Sequence, residues 1–126
     1  MAFRYYNPNP LNKLVGDCTI RAISLALNES WENIFIDLSL LAFQMRDMPS
    51  ANEVWGQYLK NKGYKRNIIS EDCPLCYTIS DFCKEYNTGT YILGTGKHVV
   101  TVIDGNYYDA WDSGHKHPMY YWTKGE

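Results

Sequence analysis

No stretch of this sequence approaches the ~18 consecutive apolar residues that a membrane-crossing helix requires. The opening Met1-Ala-Phe-Arg-Tyr-Tyr-Asn lacks an apolar h-region and a cleavage-like site, so no secretory leader is expected and the cytoplasm is the expected compartment. Basic residues are not in excess: 12 Lys and Arg stand against 14 Asp and Glu, a formal net charge of −2. A protein that works by neutralising phosphates needs a basic surplus to displace counterions, so the sequence argues against a nucleic-acid partner as well as a membrane. A glycine-rich phosphate loop is also missing, because Gly94-Thr-Gly96 is short and no helical pattern follows it. There is no repeat, linker or low-complexity tract. Charged residues are sparse at 21% while hydrophobic ones reach 45%, a balance that disfavours disorder. At 126 residues the chain has room for one core, a single domain over 1–126.

Cysteine is scarce but even in number, with four. In a reducing compartment these are expected to be thiols and not a disulfide framework. Tyrosine is the abundant residue, with eleven, clustered as Tyr5-Tyr6, Tyr107-Tyr108 and Tyr120-Tyr121-Trp122. Neighbouring strand residues face opposite ways, so one of each pair is expected in the core and the other outside.

The pattern along the chain is helical first and extended afterwards. Residues 1–16, rich in Asn and Pro, read as an extended arm. Asp17 is placed to cap a short helix carrying Ile20, Ile23, Leu25, Ala26 and Leu27. Ser30 starts the next helix, whose apolar stripe is Trp31, Ile34, Phe35, Leu38, Leu41, Ala42 and Met45. Ser50-Ala-Asn-Glu53 matches a capping box before a helix that stops at Gly63. A strand over 64–69 follows, and either Thr78 or Ser80 caps a further short helix. In the last third, Tyr91–Gly94, His98–Ile103, Asn106–Trp111 and Met119–Trp122 are β-branched or aromatic runs, with Asp104-Gly105-Asn106 as a hairpin signal. The expected fold is α+β, with N-terminal helices packed on a C-terminal antiparallel sheet.

Three residues combine into chemistry. Cys18 falls in the first turn of a helix, where unpaired amides and the macrodipole favour a thiolate and can donate to an oxyanion. His98 stands at the mouth of a strand, after the loop Gly94-Thr-Gly-Lys97. The third member follows from hairpin parity. A three-residue loop at 104–106 sets His98 opposite Asp112, whereas a two-residue loop favours Asp109; the longer loop, and so Asp112, is preferred. Such a set supplies nucleophile, base and orienting acid. Asn12, six residues before Cys18, can offer an amide to the oxyanion, as can Asn7 and Asn9, although asparagines in such a segment also build turns.

Gly16-Asp17-Cys18-Thr19-Ile20-Arg21-Ala22 resembles the nucleophile helix of ovarian-tumour-type deubiquitinases. The segment from His98 through Asp112-Ser113 is similar to the histidine strand and hairpin of Josephin domains and of bacteriocin-leader peptidases. All belong to the papain-like cysteine peptidase superfamily. The resemblance covers roughly thirty residues in two segments and implies a minimal papain-like core in which a cysteine on a helix meets a histidine on a sheet. It implies a Cys-His-Asp peptidase, isopeptidase or amidase with a peptide or protein substrate and no cofactor. The oxyanion glutamine of that group has no counterpart beyond Asn12. The chain as a whole resembles small proteins encoded by phages and prophages of Gram-positive bacteria.

Two alternatives compete. A papain-like shell can serve as a binding or inhibitory module without turnover, using its tyrosines as contact area. Cys73-Pro-Leu-Cys76 with Cys83 resembles half a zinc site, with His115 or His117 to complete it, which would make a zinc-stabilised interaction domain. Against zinc, Cys83 lies at an apolar position beside Ile79 and Phe82, and the second Cys-x-x-Cys is missing.

Overall fold

The computed structural model describes residues 2–70 and 73–124; Met1, the first residue of the expected arm, lies outside them. Its elements run β1 (Phe3–Tyr5), α1 (Cys18–Leu27), α2 (Trp31–Met45), α3 (Asn52–Asn61), β2 (Tyr64–Ile68), a 3₁₀ turn (Pro74–Cys76), α4 (Ile79–Glu85), β3 (Thr90–Gly94), β4 (Val99–Ile103), β5 (Asn106–Asp109) and β6 (Tyr120–Lys124). The six strands form one mixed sheet in the order β1-β5-β4-β3-β6-β2. This is an α+β fold with helices on the sheet. Two features depart from the simple antiparallel meander. Part of the arm is itself an edge strand, pairing parallel to β5 from Phe3↔Tyr107 to Tyr5↔Asp109. And β6 returns across the sheet to pair β3, with β2 outside it.

Strand alternation divides the core in two. Ile92, Val99, Tyr120 and Trp122 face α1, α2 and α3, which contribute Ile23, Ile34, Leu38, Trp55 and Leu59. Leu93, Val100, Val102 and Tyr107 face α4 with Ile79, Phe82 and Cys83. Because both faces are covered, Tyr121 does not point to solvent. It joins Phe82, Tyr86 and Tyr91 in an aromatic cluster whose centroids lie 4.2–5.8 Å apart, an arrangement that favours offset and edge contacts.

Several local expectations change. Asn52 begins α3 and Ala51 occupies its N-cap position without a side-chain bond, so Ser50 does not form the capping box. At α4 the box is Thr78 with Asp81, each side chain reciprocating the other's backbone amide. On α2, Ile34, Leu38 and Ala42 are buried, whereas Phe35 and Met45 turn outward. The four cysteines are not all thiols: Cys73 and Cys76 are disulfide-bonded, while Cys18 and Cys83 are free. The residues of the zinc alternative therefore do not assemble into a ligand set among the described residues. Two sulfurs are bonded to each other, and Cys83 is buried against the apolar cluster under α4. Among the described residues no helix is long and apolar enough to cross a membrane.

Candidate active site

Cys18 opens α1 at the point where the chain leaves the loop 6–17, and α1 packs across β4. The side chains that fasten it there are polar: Thr101 Oγ1 donates to the Ala22 carbonyl at 2.6 Å, and Arg21 is buried at 6% exposure. His98 precedes β4 and is fixed by Thr95, whose Oγ1 accepts from the backbone N–H groups of Lys97 (3.2 Å) and His98 (2.9 Å). The Thr95 N–H in turn donates to the His98 carbonyl at 2.8 Å. Helix start and strand mouth thus meet, with Cys18 and His98 on the wall of one cleft and each shifting the other's protonation.

The carboxylate that meets His98 is Asp109 and not Asp112. The β4–β5 register pairs Ile103 with Asn106, so the loop is the two residues Asp104-Gly105, both at positive φ. That is the primed-turn geometry matching the twist of a tight hairpin. The shorter loop moves Asp109, the last residue of β5, into reach: its Oδ2 lies 2.6 Å from His98 Nε2. Asp112 lies beyond the strand, where its Oδ1 accepts from the Tyr107 hydroxyl at 2.5 Å and the Gly114 N–H at 3.1 Å. With Nε2 committed to a carboxylate, the other ring nitrogen is left for the thiol.

Asp109 is fully buried and accepts from every side. Arg21 donates to Oδ1 at 2.8 Å, the Ala110 N–H to Oδ1 at 2.8 Å, and Ser113 Oγ to Oδ2 at 2.6 Å. The other guanidinium nitrogen of Arg21 pairs with Asp17 at 2.5 Å, and Trp31 Nε1 donates to the second Asp17 oxygen at 2.8 Å. Asp17 does occupy the N-cap position of α1, but its carboxylate makes no capping bond because Arg21 and Trp31 take it. The first-turn amides of α1 are thereby left uncapped by that side chain, next to the thiol.

The electrostatics follow from these contacts. Burial alone pushes the Cys18 thiol up. The hydrogen bond and charge of His98, helped by the Val99 amide and Thr19, outweigh it and hold the group below its ordinary value. Burial alone lowers His98; Asp109 and Cys18 reverse this and raise it to about 9. Burial likewise opposes ionisation of Asp109, but His98, Ser113 and Arg21 hold it below the usual carboxylate range. Each shift favours a thiolate–imidazolium–carboxylate line at neutral pH. Cys83 is the contrast, since burial without a partner raises it to about 11.

The pair lies in a cleft of about 660 Å³ between the start of α1, the Thr95–Lys97 loop and Trp111. Trp111 packs on the His98 ring with centroids 4.7 Å apart and shields the His98–Asp109 bond from that side. Tyr120 and Trp55 form the far wall. Gly94 makes this possible, because a Cβ there would lie 2.1 Å from the Tyr120 ring.

The expected oxyanion donor is not at the site. Asn12 is exposed at φ 56°, in a turn where its N–H bonds the Asn9 carbonyl, and it does not line the cleft. Asn7 and Asn9 are turn-makers as well, each accepting a backbone N–H two residues on. The side-chain amide that does line the cleft is Asn52. Its oxygen accepts from Trp55 Nε1 at 3.1 Å, which leaves its NH₂ end to donate. Sequence reasoning missed Asn52, Ser113, Trp111 and Arg21. Only Arg21 carried a local signal, the four-residue spacing from Asp17 that brings opposite charges together on a helix.

No protein-family model, curated protein or solved structure matches this chain.

Proposed function

We propose that this protein is a small cysteine hydrolase that cleaves a peptide, isopeptide or related amide bond, in the manner of the papain-like peptidases its two motif segments resemble. The observation that carries the reading is the connected line Cys18–His98–Asp109 at the cleft, with His98 Nε2 2.6 Å from a carboxylate that is itself buried and fully bonded.

In this reaction the Cys18 thiolate attacks the substrate carbonyl carbon, forming a C–S bond and placing negative charge on the carbonyl oxygen. The amides at the start of α1 and the Asn52 NH₂ group supply donors for that oxyanion. Collapse of the intermediate breaks the C–N bond, and the proton on His98 passes to the departing amine. Water then attacks the thioester, with neutral His98 accepting its proton, and the acid product leaves as Cys18 and His98 regain their charges. Asp109 keeps the ring oriented and its charged form favourable throughout. Trp111 and the cleft walls keep bulk water from the pair.

The test is reaction of the intact protein with iodoacetamide at pH 7, with the modified residue identified by peptide mass mapping. Fast modification confined to Cys18, and its loss in His98→Ala, is the expected result. Slow labelling of Cys18 at the rate of an ordinary thiol would leave the fold as a binding module without turnover.

A further inference from the structure

We propose that the substrate presents a bulky, uncharged apolar side chain beside its scissile bond, and that a groove between the loop 9–16 and the first turns of α2 is the subsite that receives it. This rests on the cysteine-hydrolase reading of the cleft. The groove holds about 640 Å³ and is separated from the cleft only by the ridge Val15-Gly16-Asp17, which lines both. A chain lying across Cys18 and over that ridge enters it directly.

Its walls are apolar and exposed where a folded chain ordinarily buries such groups: Leu11 is 72% exposed, Val15 47% and Phe35 45%. Their grouping on one edge, adjoining a nucleophile, is the signature of a contact surface and not of scattered surface residues. The groove is also prebuilt. Trp31 stacks on Phe35 with centroids 5.1 Å apart, and its indole N–H holds Asp17, the residue before Cys18, at 2.8 Å. The wall is therefore tied to the nucleophile's own helix start.

Charge selects the occupant. Lys13 and Glu32 sit at the rim with opposite signs, and the Asp17 carboxylate is already taken by Arg21 and Trp31. The groove thus offers no net charge to a charged side chain, and an uncharged apolar one loses nothing on entering.

The experiment uses peptidyl Michael acceptors extended on both sides of the reactive carbon. Leucine or phenylalanine is scanned through the flanking positions against glycine, and the second-order rate of Cys18 labelling is measured. At one position the apolar probe is expected to react about tenfold to a hundredfold faster than the glycine probe. Leu11→Asp and Phe35→Asp, both at exposed positions, should remove that advantage, read within each variant as the ratio of the apolar-probe rate to the glycine-probe rate. If iodoacetamide labels Cys18 selectively but no position shows an apolar preference, the subsite is overturned and the hydrolase reading stands. A preference that survives both variants overturns it too, by placing the side chain elsewhere. So does self-association, measured by sedimentation, that is lost in Phe35→Asp while peptide preference is unchanged, since the groove then belongs to a second copy. If neither reagent labels Cys18 selectively, hydrolase and subsite fall together.

Discussion

Asp109→Asn removes one charge and almost no volume, so it isolates what the buried carboxylate does to the Cys18–His98 pair. At the 2.6 Å contact with His98 Nε2, the attraction between the charges is about 6 kcal/mol at an effective dielectric near 20. The rise of His98 from 6.5 to about 9 corresponds to roughly 3 kcal/mol. The carboxylate alone is thus large enough to account for the elevation. Without it, burial is opposed only by Cys18 and His98 falls back toward its ordinary 6.5, where at pH 7 about a quarter of the rings keep the proton. Cys18 then loses its cationic partner and moves back toward 9 or above, where about 1% is thiolate at pH 7.

The assay is the pH dependence of the iodoacetamide rate at Cys18. The native protein should react at a nearly constant rate across the neutral range and slow only in acid. Asp109→Asn should react up to about a hundredfold more slowly at pH 7 and climb tenfold per pH unit toward 9. Breaking a buried pair costs roughly 3–5 kcal/mol of stability, and Cys83 reports whether the variant has unfolded. Cys83 is fully buried and displaced upward to about 11, so its labelling appears only when the core opens. A variant that keeps Cys83 protected and the native profile at Cys18 refutes the assignment of Asp109 as the acid.

Arg21→Gln should shift the same profile the opposite way. Arg21 approaches Asp109 on the oxygen that His98 does not use, so deleting its charge leaves more of the carboxylate's field to the imidazolium and raises His98 above 9. The charged groups that act on the ring, Asp109 and Cys18, remain, and Asp17 beside Cys18, which Arg21 also pairs, loses that partner, which adds to the rise. An NMR titration of His98 checks this, and an unchanged midpoint would reduce Arg21 to a packing role. Gly94→Ala should lower the melting temperature by an amount equivalent to roughly 1–3 kcal/mol, because the new Cβ meets the Tyr120 ring at 2.1 Å. Near-UV circular dichroism should change with it, since Tyr120 stacks on Trp55; loss of stability with that signal intact would contradict the account of the cleft wall.

What the sequence disclosed and what it hid follow a physical division. The helical first half, the extended second half, the helix start at Ser30 and a cap at Thr78 or Ser80 were legible because periodicity and helix starts are local, although the capping box read at Ser50 and the cap bond read at Asp17 did not form. Cys18 and His98 were legible as candidates for the same reason, each being set by its own element's end. The third residue depended on one hydrogen-bond count in a turn. Asp104 adopts φ 49°, an αL conformation that Asp tolerates without declaring it in advance, and this shortened the loop and exchanged Asp112 for Asp109. Asn52 and Trp111 reach the cleft through tertiary packing alone, so no spacing announced them. The edge strand Phe3–Tyr5 was hidden similarly: it pairs with a segment about a hundred residues away, and its three residues show no alternation long enough to read.

The arrangement also makes a prediction about stability that a lone histidine or a lone cysteine would not. His98 is raised in the folded state, so its contribution is complete below 6.5 and is lost as pH rises through about 9. Cys18 is lowered, so its contribution is complete above 9 and is lost as pH falls through its folded value. Between 6.5 and 9, wherever the folded thiol is ionised while the folded ring keeps its proton, the two slopes are opposite and cancel. In proton terms, the unfolded chain carries one proton on the thiol and the folded chain carries one on the ring, so folding moves a proton without binding or releasing one. Stability measured by urea unfolding should therefore be flat across that window as far as this pair is concerned. Below 6.5 the unfolded chain protonates its histidine as well, and stability should fall by about 1.4 kcal/mol per pH unit. Cys18→Ser removes the compensating partner. In that variant the window should tilt, with stability decreasing from pH 6.5 to 9 while His98 gives up its proton. A flat profile in Cys18→Ser would mean that the proton does not reside on His98 and that the pair is a neutral thiol beside a neutral ring.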